Sequence, residues 1–247
     1  MFRKKAAKEL TVYDALPSLA QLHNVKRENY ADIREPEFWE IFESYKMYTC
    51  LSVERFYNIF KSMEYIARNN IRGDIVECGV FLGGSIIGAA KFAELFGLGH
   101  RKFYIYDTFE GFPEDTCETD IFGKKTDLST LSVFNQNFKH IVEQNIARSG
   151  LPSDQFVIME GRVEETLINM PLPSEISCLR LDTDYFDSTM IELEKLWPCV
   201  SSGGVLIIDD YGHFEGARDA VDKYFTSSER SILLQRIDYT GRCGVKL

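Results

Sequence analysis

Two short apolar segments, each followed at once by acidic residues, constrain the fold of this chain more than any other feature. Ile176–Leu181 and 205–208 are rich in β-branched and other apolar residues and are bounded by turn residues, so both are predicted to be buried parallel strands. The residues between them, 188–200, have helical spacing and good helix formers. This pattern predicts a β-α-β unit with a right-handed crossover, in which the two strands are neighbours.

Acidic residues follow directly after both strands: Asp182, Asp184, Asp209 and Asp210. Because neighbouring parallel strands end at the same edge of a sheet, and open α/β sheets bind ligands there, these side chains are expected to converge at a binding site. Carboxylates held together repel one another, so a positive group is expected among them. Oxygen ligands favour a hard divalent ion such as Mg²⁺, Mn²⁺ or Ca²⁺. The alternative is that these acids are solvated or cap the helices that follow.

Nearer the N-terminus, the order is strand, glycine-rich loop, helix. The predicted strand Asp74–Cys78 leads into the loop 79–85 and a helix that extends to about residue 96. Glycines in such a loop let the backbone approach a ligand closely. Glu77 lies at the end of the strand, where a carboxylate is unfavourable beside a pyrophosphate but suits a cationic ligand. The alternative is a tight turn with an unrelated acid.

Asp107 follows the second predicted strand, 102–106. An acid in this position is the usual contact for a ribose diol in a nucleotide-type fold. Together with Glu77 and the glycine-rich loop, Asp107 indicates an adenosine ligand that carries a positive charge. S-adenosylmethionine fits this description, because its sulfonium and ammonium groups are cationic and its ribose needs a hydrogen-bond acceptor.

The rest of the chain is predicted to complete one α/β domain preceded by helices. A length of 247 residues with 45% apolar content suits one sizeable domain with extra elements. We divide the chain into an N-terminal arm and helical cap, 1–72, and a catalytic domain, 73–247. In the cap, residues 1–35 are expected to form a loosely ordered arm. The long polar loop 110–132 is expected to be a lid or a surface insertion.

Further elements are predicted from periodicity and turn residues. They are two cap helices within 38–70 broken near 49–52, a helix over 130–149, a third strand at 155–159, a helix from about 212 to 225, and a closing strand pair at 231–237 and 243–247. The aromatic stripe of the cap helices is expected to pack against the sheet domain. It is also compatible with a homo-oligomer.

Composition excludes several partners. The net charge of −10 disfavours a nucleic-acid or anionic-membrane surface, and no segment has the roughly 18 apolar residues of a membrane span. The N-terminus is basic but lacks the apolar core of a signal peptide. The 6 cysteines are scattered without a C-x-x-C pair, which is typical of a reduced protein. We therefore expect a cytoplasmic protein without nucleic-acid or membrane partners.

Four groups of motifs, in order, resemble the macrocin O-methyltransferase family. They are Glu-Cys-Gly-Val at 77–80 with Gly-Gly-Ser at 83–85, Tyr-Asp-Thr-Phe-Glu-Gly at 106–111, Leu-Asp-Thr-Asp-Tyr at 181–185 with Ser-Thr at 188–189, and Ile-Asp-Asp-Tyr at 208–211. The resemblance spans about residues 45–247. It implies the class I methyltransferase Rossmann-like fold, a seven-stranded sheet that is mostly parallel with the last strand antiparallel, plus N-terminal helices.

Members of that family use S-adenosylmethionine and a divalent metal to methylate sugar hydroxyls of macrolide and aminocoumarin antibiotics, so a sugar or glycosylated small molecule is the implied acceptor. The resemblance implies that Mg²⁺ (or Mn²⁺) is bound by Asp182, Asp209 and Asp210. Asp184 corresponds to the acid proposed as general base, and His213, which closely follows the Asp209–Asp210 pair, is the competing candidate. The implied cofactor-site residues are Glu77, Gly79, Ser85, Asp107, Gly161 and Arg162.

This sequence departs from the family pattern beside the acids. Thr183 stands where the family often has Gly, and Tyr185 and Phe186 stand where it has Leu-Tyr. Because no acid is lost, these changes concern the shape of the acceptor rather than the chemistry.

Other functional classes share part of the acidic motif. Asp182-Thr183-Asp184 also resembles the D-x-D of haloacid-dehalogenase-type phosphatases and of metal-dependent glycosyltransferases. In the phosphatases that motif ends the first strand of the catalytic domain, whereas here it ends the fourth. A third alternative is a non-catalytic ligand-binding relative. Binding of S-adenosylhomocysteine separates a methyltransferase from a phosphatase, and turnover separates an enzyme from a binding protein.

Overall fold

The acid-ended β-α-β unit lies at the centre of a seven-stranded sheet in the computed structural model, which describes residues 25–112, 116–127, 137–227 and 231–247. The strands of this sheet are β1 (Asp74–Cys78), β2 (Phe103–Asp107), β5 (Phe156–Glu160), β6 (Ile176–Leu181), β7 (Val200–Ile208), β8 (Gln235–Arg236) and β9 (Arg242–Val245), and a separate hairpin comprises β3 (Cys117–Thr119) and β4 (Lys125–Asp127). The order is β5-β2-β1-β6-β7-β9-β8. Only the pairs that involve β9 are antiparallel within this sheet. The predicted fold class is confirmed.

Two helices precede β1 in the chain, and five more lie after it in the described residues. They are α1 (Pro36–Tyr45), α2 (Val53–Arg68), α3 (Gly84–Leu95), α4 (Lys139–Ser149), α5 (Val163–Asn169), α6 (Phe186–Leu196) and α7 (Glu215–Ser227). In the part of the chain that the structure describes, no helix combines the length and the apolar content needed to cross a membrane.

The two N-terminal helices share one apolar core with the sheet. Aromatic rings from α1, α2 and α3 meet there, with Phe38 5.8 Å from Phe60 and Phe56 5.5 Å from Phe92 between ring centroids. The same cluster includes Ile207 of β7. Ser52 is the N-cap of α2, because its side chain accepts a hydrogen bond from the backbone N–H of Arg55. The packing therefore runs across residue 72, and the division of the chain at that point stays a prediction.

Several boundaries differ from those that the sequence predicted. Strand β7 begins at Val200 rather than at residue 205, because Gly203 adopts a φ of +82° and donates its backbone N–H to Lys246, which keeps the polar residues 201–204 in the sheet. The helix before it consequently ends at Leu196. Helix α4 begins at Lys139, while residues 130–136 of the predicted helix lie outside the described ranges. The predicted arm is described only from residue 25.

Candidate active site

A cavity of about 550 Å³ lies at the carboxyl edge of the parallel strands. The break between α1 and α2 contributes Thr49 and Cys50 to its wall, and the turn between β8 and β9 contributes Thr240. All of the site residues predicted from the sequence line this cavity except Glu77. The structure therefore brings the residues of the glycine-rich loop and the acids of the β6–β7 unit into one space.

The glycine-rich loop follows β1 and runs directly against the acidic strand β6. A side chain on Gly79 would place its Cβ 2.0 Å from the carbonyl oxygen of Asp182, and Gly79 has a φ of +79°, so glycine is required for both reasons. Phe81 in the same loop also has a positive φ, of 51°. Backbone strain of this kind is typical of functional sites. This close contact fixes the position of the glycine-rich loop relative to Asp182.

Asp107, at the end of β2, is oriented by the backbone. Its two carboxylate oxygens accept hydrogen bonds of 2.7 Å from the N–H groups of Val80 and Phe109. Burial raises the pKa of this carboxyl, although the backbone N–H groups act in the opposite direction. Its carbonyl oxygen accepts from Gly161 N at 3.0 Å, which places the β5–α5 turn beside it. The arrangement leaves an oriented carboxyl group at the cavity wall.

Glu77 lies beneath the glycine-rich loop rather than in the cavity wall. Its side chain is buried, and Oε1 accepts hydrogen bonds from Ser85 Oγ and from Arg180 Nη1. The carboxylate thus already has a cationic partner within the protein. Its predicted contact with a cationic ligand stays a prediction.

Two arginines that the sequence analysis did not single out neutralise part of the acidic cluster. Arg180 in β6 is buried and lies 2.8 Å from Asp182 Oδ2 and 2.6 Å from Asp209 Oδ1. Arg55 of α2 pairs with the other oxygen of Asp209 and lies 3.0 Å from Asp238. Both oxygens of Asp209 therefore face guanidinium groups, and its assignment as a metal ligand stays a prediction. The signal was present for Arg180, because a charged residue inside a fully buried strand requires a partner.

Three of the acids, including Asp182, also lie close to one another. One carboxylate oxygen from each of Asp182, Asp184 and Asp210 lies within 4.8 Å of the others. Asp210 Oδ2 is buried and no N–H or hydroxyl donor of the described residues faces it, so its carboxyl group can hydrogen-bond only with that of Asp184, when one of the two is protonated. Asp184 adopts a φ of +72°. Burial raises the pKa of Asp184 to about 7, and the pKa values of Asp182 and Asp210 are raised as well. An oxygen that no N–H or hydroxyl group faces, in an all-oxygen ligand set, fits a hard divalent cation.

The chain matches the family model described as "Macrocin-O-methyltransferase (TylF)" over residues 12–243. It belongs to the macrocin O-methyltransferase family. It is 32% identical over 194 residues to the 8-demethyl-8-(2,3-dimethoxy-alpha-L-rhamnosyl)-tetracenomycin-C 4'-O-methyltransferase of Streptomyces olivaceus, covering 78% of this chain and 74% of that protein. It is also 32% identical over 199 residues to the demethyldecarbamoylnovobiocin O-methyltransferase of Streptomyces niveus, with coverage of 78% and 74%.

A solved structure agrees with this assignment. The O-methyltransferase NovP superposes with a TM-score of 0.72 at 29% identity, covering 81% of this chain and 82% of NovP. The predicted family, the fold and the assignment of the chain as an O-methyltransferase are confirmed.

In this macrocin-family O-methyltransferase, His213 lies at the rim of the acidic group. Its Nδ1 is 3.1 Å from the hydroxyl of Tyr239, and its ring packs on Phe214 with centroids 4.5 Å apart. Its carbonyl oxygen accepts a hydrogen bond of 3.0 Å from Ile121 N, in the loop predicted to be a lid. The described part of that loop therefore contacts a site residue, while its function as a lid stays a prediction.

Thr183, the departure from the family pattern, supports the acidic loop from behind. Its hydroxyl lies 2.8 Å from Ser188 Oγ and 3.0 Å from Glu192 Oε1 in α6. Glu192 is buried, and this burial raises the pKa of its carboxyl well above the usual range. Through these two hydrogen bonds the threonine ties the segment that carries Asp184 to α6.

Proposed function

We propose that this O-methyltransferase transfers the methyl group of S-adenosylmethionine to a sugar hydroxyl of a glycosylated small molecule, with Mg²⁺ or Mn²⁺ at the acidic cluster. The observation that carries the proposal is the shared cavity, in which Gly79 packs against the backbone of Asp182. A methyl donor beside the glycine-rich loop would thus lie next to a metal-bound acceptor. The relatives named above act on glycosides, which supports a sugar acceptor.

The cofactor half of the site would bind and orient the donor, which supplies an electrophilic methyl group when bound. Asp107, held by two backbone N–H groups, would accept hydrogen bonds from the ribose hydroxyls. Gly79, Gly161 and Arg162 line the same wall and would contact the remainder of the cofactor. Glu77 would contribute indirectly, through the hydrogen bond that it accepts from Ser85.

The acidic half would hold the metal and move the proton. Asp182 and Asp210 present oxygens suited to a divalent ion, with Asp209 beside them. When bound, such an ion lowers the pKa of an acceptor hydroxyl and fixes its direction. Asp184, in the same cluster, would remove the hydroxyl proton, a contribution worth about 10²–10⁴-fold in rate for a positioned base. His213, which lines the same cavity, is the alternative base.

The predicted division at residue 72 and the predicted lid remain part of this proposal. The described hairpin at 117–127 contacts His213 through a hydrogen bond from Ile121 and could shield the site from water. The phosphatase and glycosyltransferase alternatives lose their basis, because they rested on Asp182-Thr183-Asp184 alone, whereas the family match spans most of the chain.

Calorimetric titration of S-adenosylhomocysteine, with and without Mg²⁺, tests the proposal. The wild-type chain is expected to bind S-adenosylhomocysteine, Asp107→Ala is expected to lose this binding, and Asp182→Ala is expected to retain it while losing a separate Mg²⁺ signal. Asp154→Ala, at a side chain that is 82% exposed, serves as the matched control. Absence of cofactor binding in every condition would refute the proposal. Binding by Asp107→Ala that equals the wild-type binding would show that the cofactor site does not include Asp107.

A further inference from the structure

Two exposed aromatic side chains lie together beside the acidic cavity. Phe122 is 77% exposed and Tyr239 is 41% exposed. Their ring centroids are 6.5 Å apart and their planes differ by 17°, so the rings are stacked. The other large apolar side chains that are exposed in the described ranges are not aromatic. We call Phe122 and Tyr239 the aromatic pair.

The backbone holds Phe122 in this exposed position. Asp120 Oδ1 accepts hydrogen bonds of 2.9 Å from Phe122 N and from Lys124 N, which closes the turn of the hairpin. Asp120 also forms a β-bridge with Phe214. At the base of the hairpin, Glu118 accepts from the backbone N–H groups of Gly216 and Phe186, near the first turns of α7 and α6. Phe122 is therefore presented to solvent by a hairpin that is anchored on both sides.

Tyr239 connects the aromatic pair to the cavity. It lies in the turn between β8 and β9, where Gly212 N donates a hydrogen bond of 2.8 Å to the carbonyl oxygen of Thr240. The Tyr239 ring is 5.8 Å from the ring of His213, and its hydroxyl contacts His213 Nδ1. Both His213 and Thr240 line the cavity. The aromatic pair is thus connected to the cavity wall through the contact between Tyr239 and His213.

We propose that the aromatic pair is a stacking platform for an apolar or aromatic ring attached to the sugar that is methylated. The inference rests on the proposed function and extends it to the part of the acceptor beyond the reacting sugar. With that sugar at the acids, the next ring of the acceptor would lie over Tyr239 and Phe122. The surface area of two side chains is far smaller than the area that a stable protein interface buries, which favours a small-molecule occupant. The acceptor is accordingly a finished glycoside rather than a free sugar.

Paired glycosides test the platform. A panel of 4-methylumbelliferyl hexosides and 6-deoxyhexosides, each beside its methyl glycoside, would be titrated into the full chain with S-adenosylhomocysteine and Mg²⁺ present. We expect aryl glycosides to bind more tightly than their methyl partners, by about 2- to 10-fold for each aromatic contact. Phe122→Ala and Tyr239→Ala should each reduce this preference, whereas Tyr239→Phe should retain it because the ring remains. Leu233→Ala, at another exposed apolar residue, is the matched control.

Three results would overturn the platform. The first is that no aryl glycoside of the panel binds more tightly than its methyl partner, and the second is a preference that survives both alanine substitutions. The third is a change in the sedimentation of Phe122→Ala with an unchanged preference, which would assign the pair to a subunit contact. S-adenosylhomocysteine binding in the same samples separates the two proposals. Bound cofactor without an aryl preference refutes the platform alone, and absent cofactor binding refutes the proposed function and the platform with it.

Discussion

The two halves of the cavity satisfy their acids in different ways. In the cofactor half, Asp107 receives two backbone N–H groups and Glu77 receives a serine and an arginine. In the acidic half, Asp182, Asp184 and Asp210 lie against one another. The acids of the first half have hydrogen-bond donors within the protein, whereas the second half presents a group of carboxylate oxygens that a cation would bind. Similar acids at neighbouring strand ends therefore have different environments, with donors around one set and other carboxylates around the other.

Arg180 lies between the halves and belongs to both. Through one nitrogen it contacts Glu77, and through the other it contacts Asp182 and Asp209. Removing a buried arginine leaves its carboxylate partners without a counter-charge in a low-dielectric environment. The network therefore makes the folding of the cofactor half and the electrostatics of the acidic half depend on one side chain.

The largest change in activity is expected from removing the base in the acidic half. Asp184→Asn should reduce the rate of methyl transfer about 10²–10⁴-fold, because a positioned base is lost, and should leave S-adenosylhomocysteine affinity unchanged. Single-turnover transfer to an accepted glycoside measures the rate. Asp187→Asn, at a nearby exposed position, is the control. If Asp184→Asn keeps full activity, His213 is the base instead, and His213→Gln should then lose methyl-transfer activity.

The next largest effect, on stability, is expected from removing Arg180, which contacts acids in both halves. Arg180→Met should lower the free energy of unfolding by about 3–5 kcal/mol, because Glu77 and Asp209 lose a buried partner. Urea denaturation followed by circular dichroism measures this change. Arg68→Met removes an arginine that is 76% exposed and paired with Glu64, and should change stability by less than about 0.5 kcal/mol. Similar losses in the two variants would contradict a special status for the buried network.

A third experiment tests whether a cation binds in the acidic half and not in the cofactor half. Mg²⁺ should stabilise the wild-type protein by mass action, by about 2.7 kcal/mol at a hundred times its dissociation constant. Asp210→Asn should abolish this increment because it removes a carboxylate of the acidic cluster, whereas Asp107→Asn should retain it. Thermal unfolding in Mg²⁺ and in EDTA, at equal ionic strength, gives the comparison. An increment of equal size in Asp210→Asn would place the ion elsewhere.

The smallest effect concerns the turn that holds Arg55 against the acidic half. Burial acts to raise the pKa of Asp238, but the backbone N–H of Gly241, the Ser52 hydroxyl and Arg55 outweigh it, so this pKa lies below its usual value. The charged form therefore stabilises the fold above the unfolded pKa of about 3.9, and this stabilisation is lost as the pH falls through the lower, folded pKa.

Asp238→Asn should accordingly be less stable than the wild type by about 1.5 kcal/mol at pH 6, as expected for hydrogen bonds to a charged group. The gap should narrow below about pH 4. Denaturation curves across this range measure it, and a gap that does not change with pH would contradict the assignment.

Much of the site was predictable because its determinants are local. The apolar run of β6 and the acids after it are contiguous in sequence, and parallel pairing brings neighbouring strand ends together. The same holds for the glycine-rich loop after β1. The start of β7 was predicted wrongly because residues 201–204 are polar and small. These residues stay in the sheet through a hydrogen bond to the distant Lys246, which no local pattern encodes.

The order of apolar segments, glycines and acids in the chain therefore determined the sheet, the site edge and the residue types that line it. The tertiary structure decided which acids have partners. Arg180 contacts Glu77 across 103 residues of sequence, and Arg55 contacts Asp209 across 154. Secondary structure follows from spacing along a few residues, whereas the charge of a buried carboxylate depends on every group that the fold brings within a few ångströms. That difference explains why four similar aspartates could be located in advance while their separate environments could not.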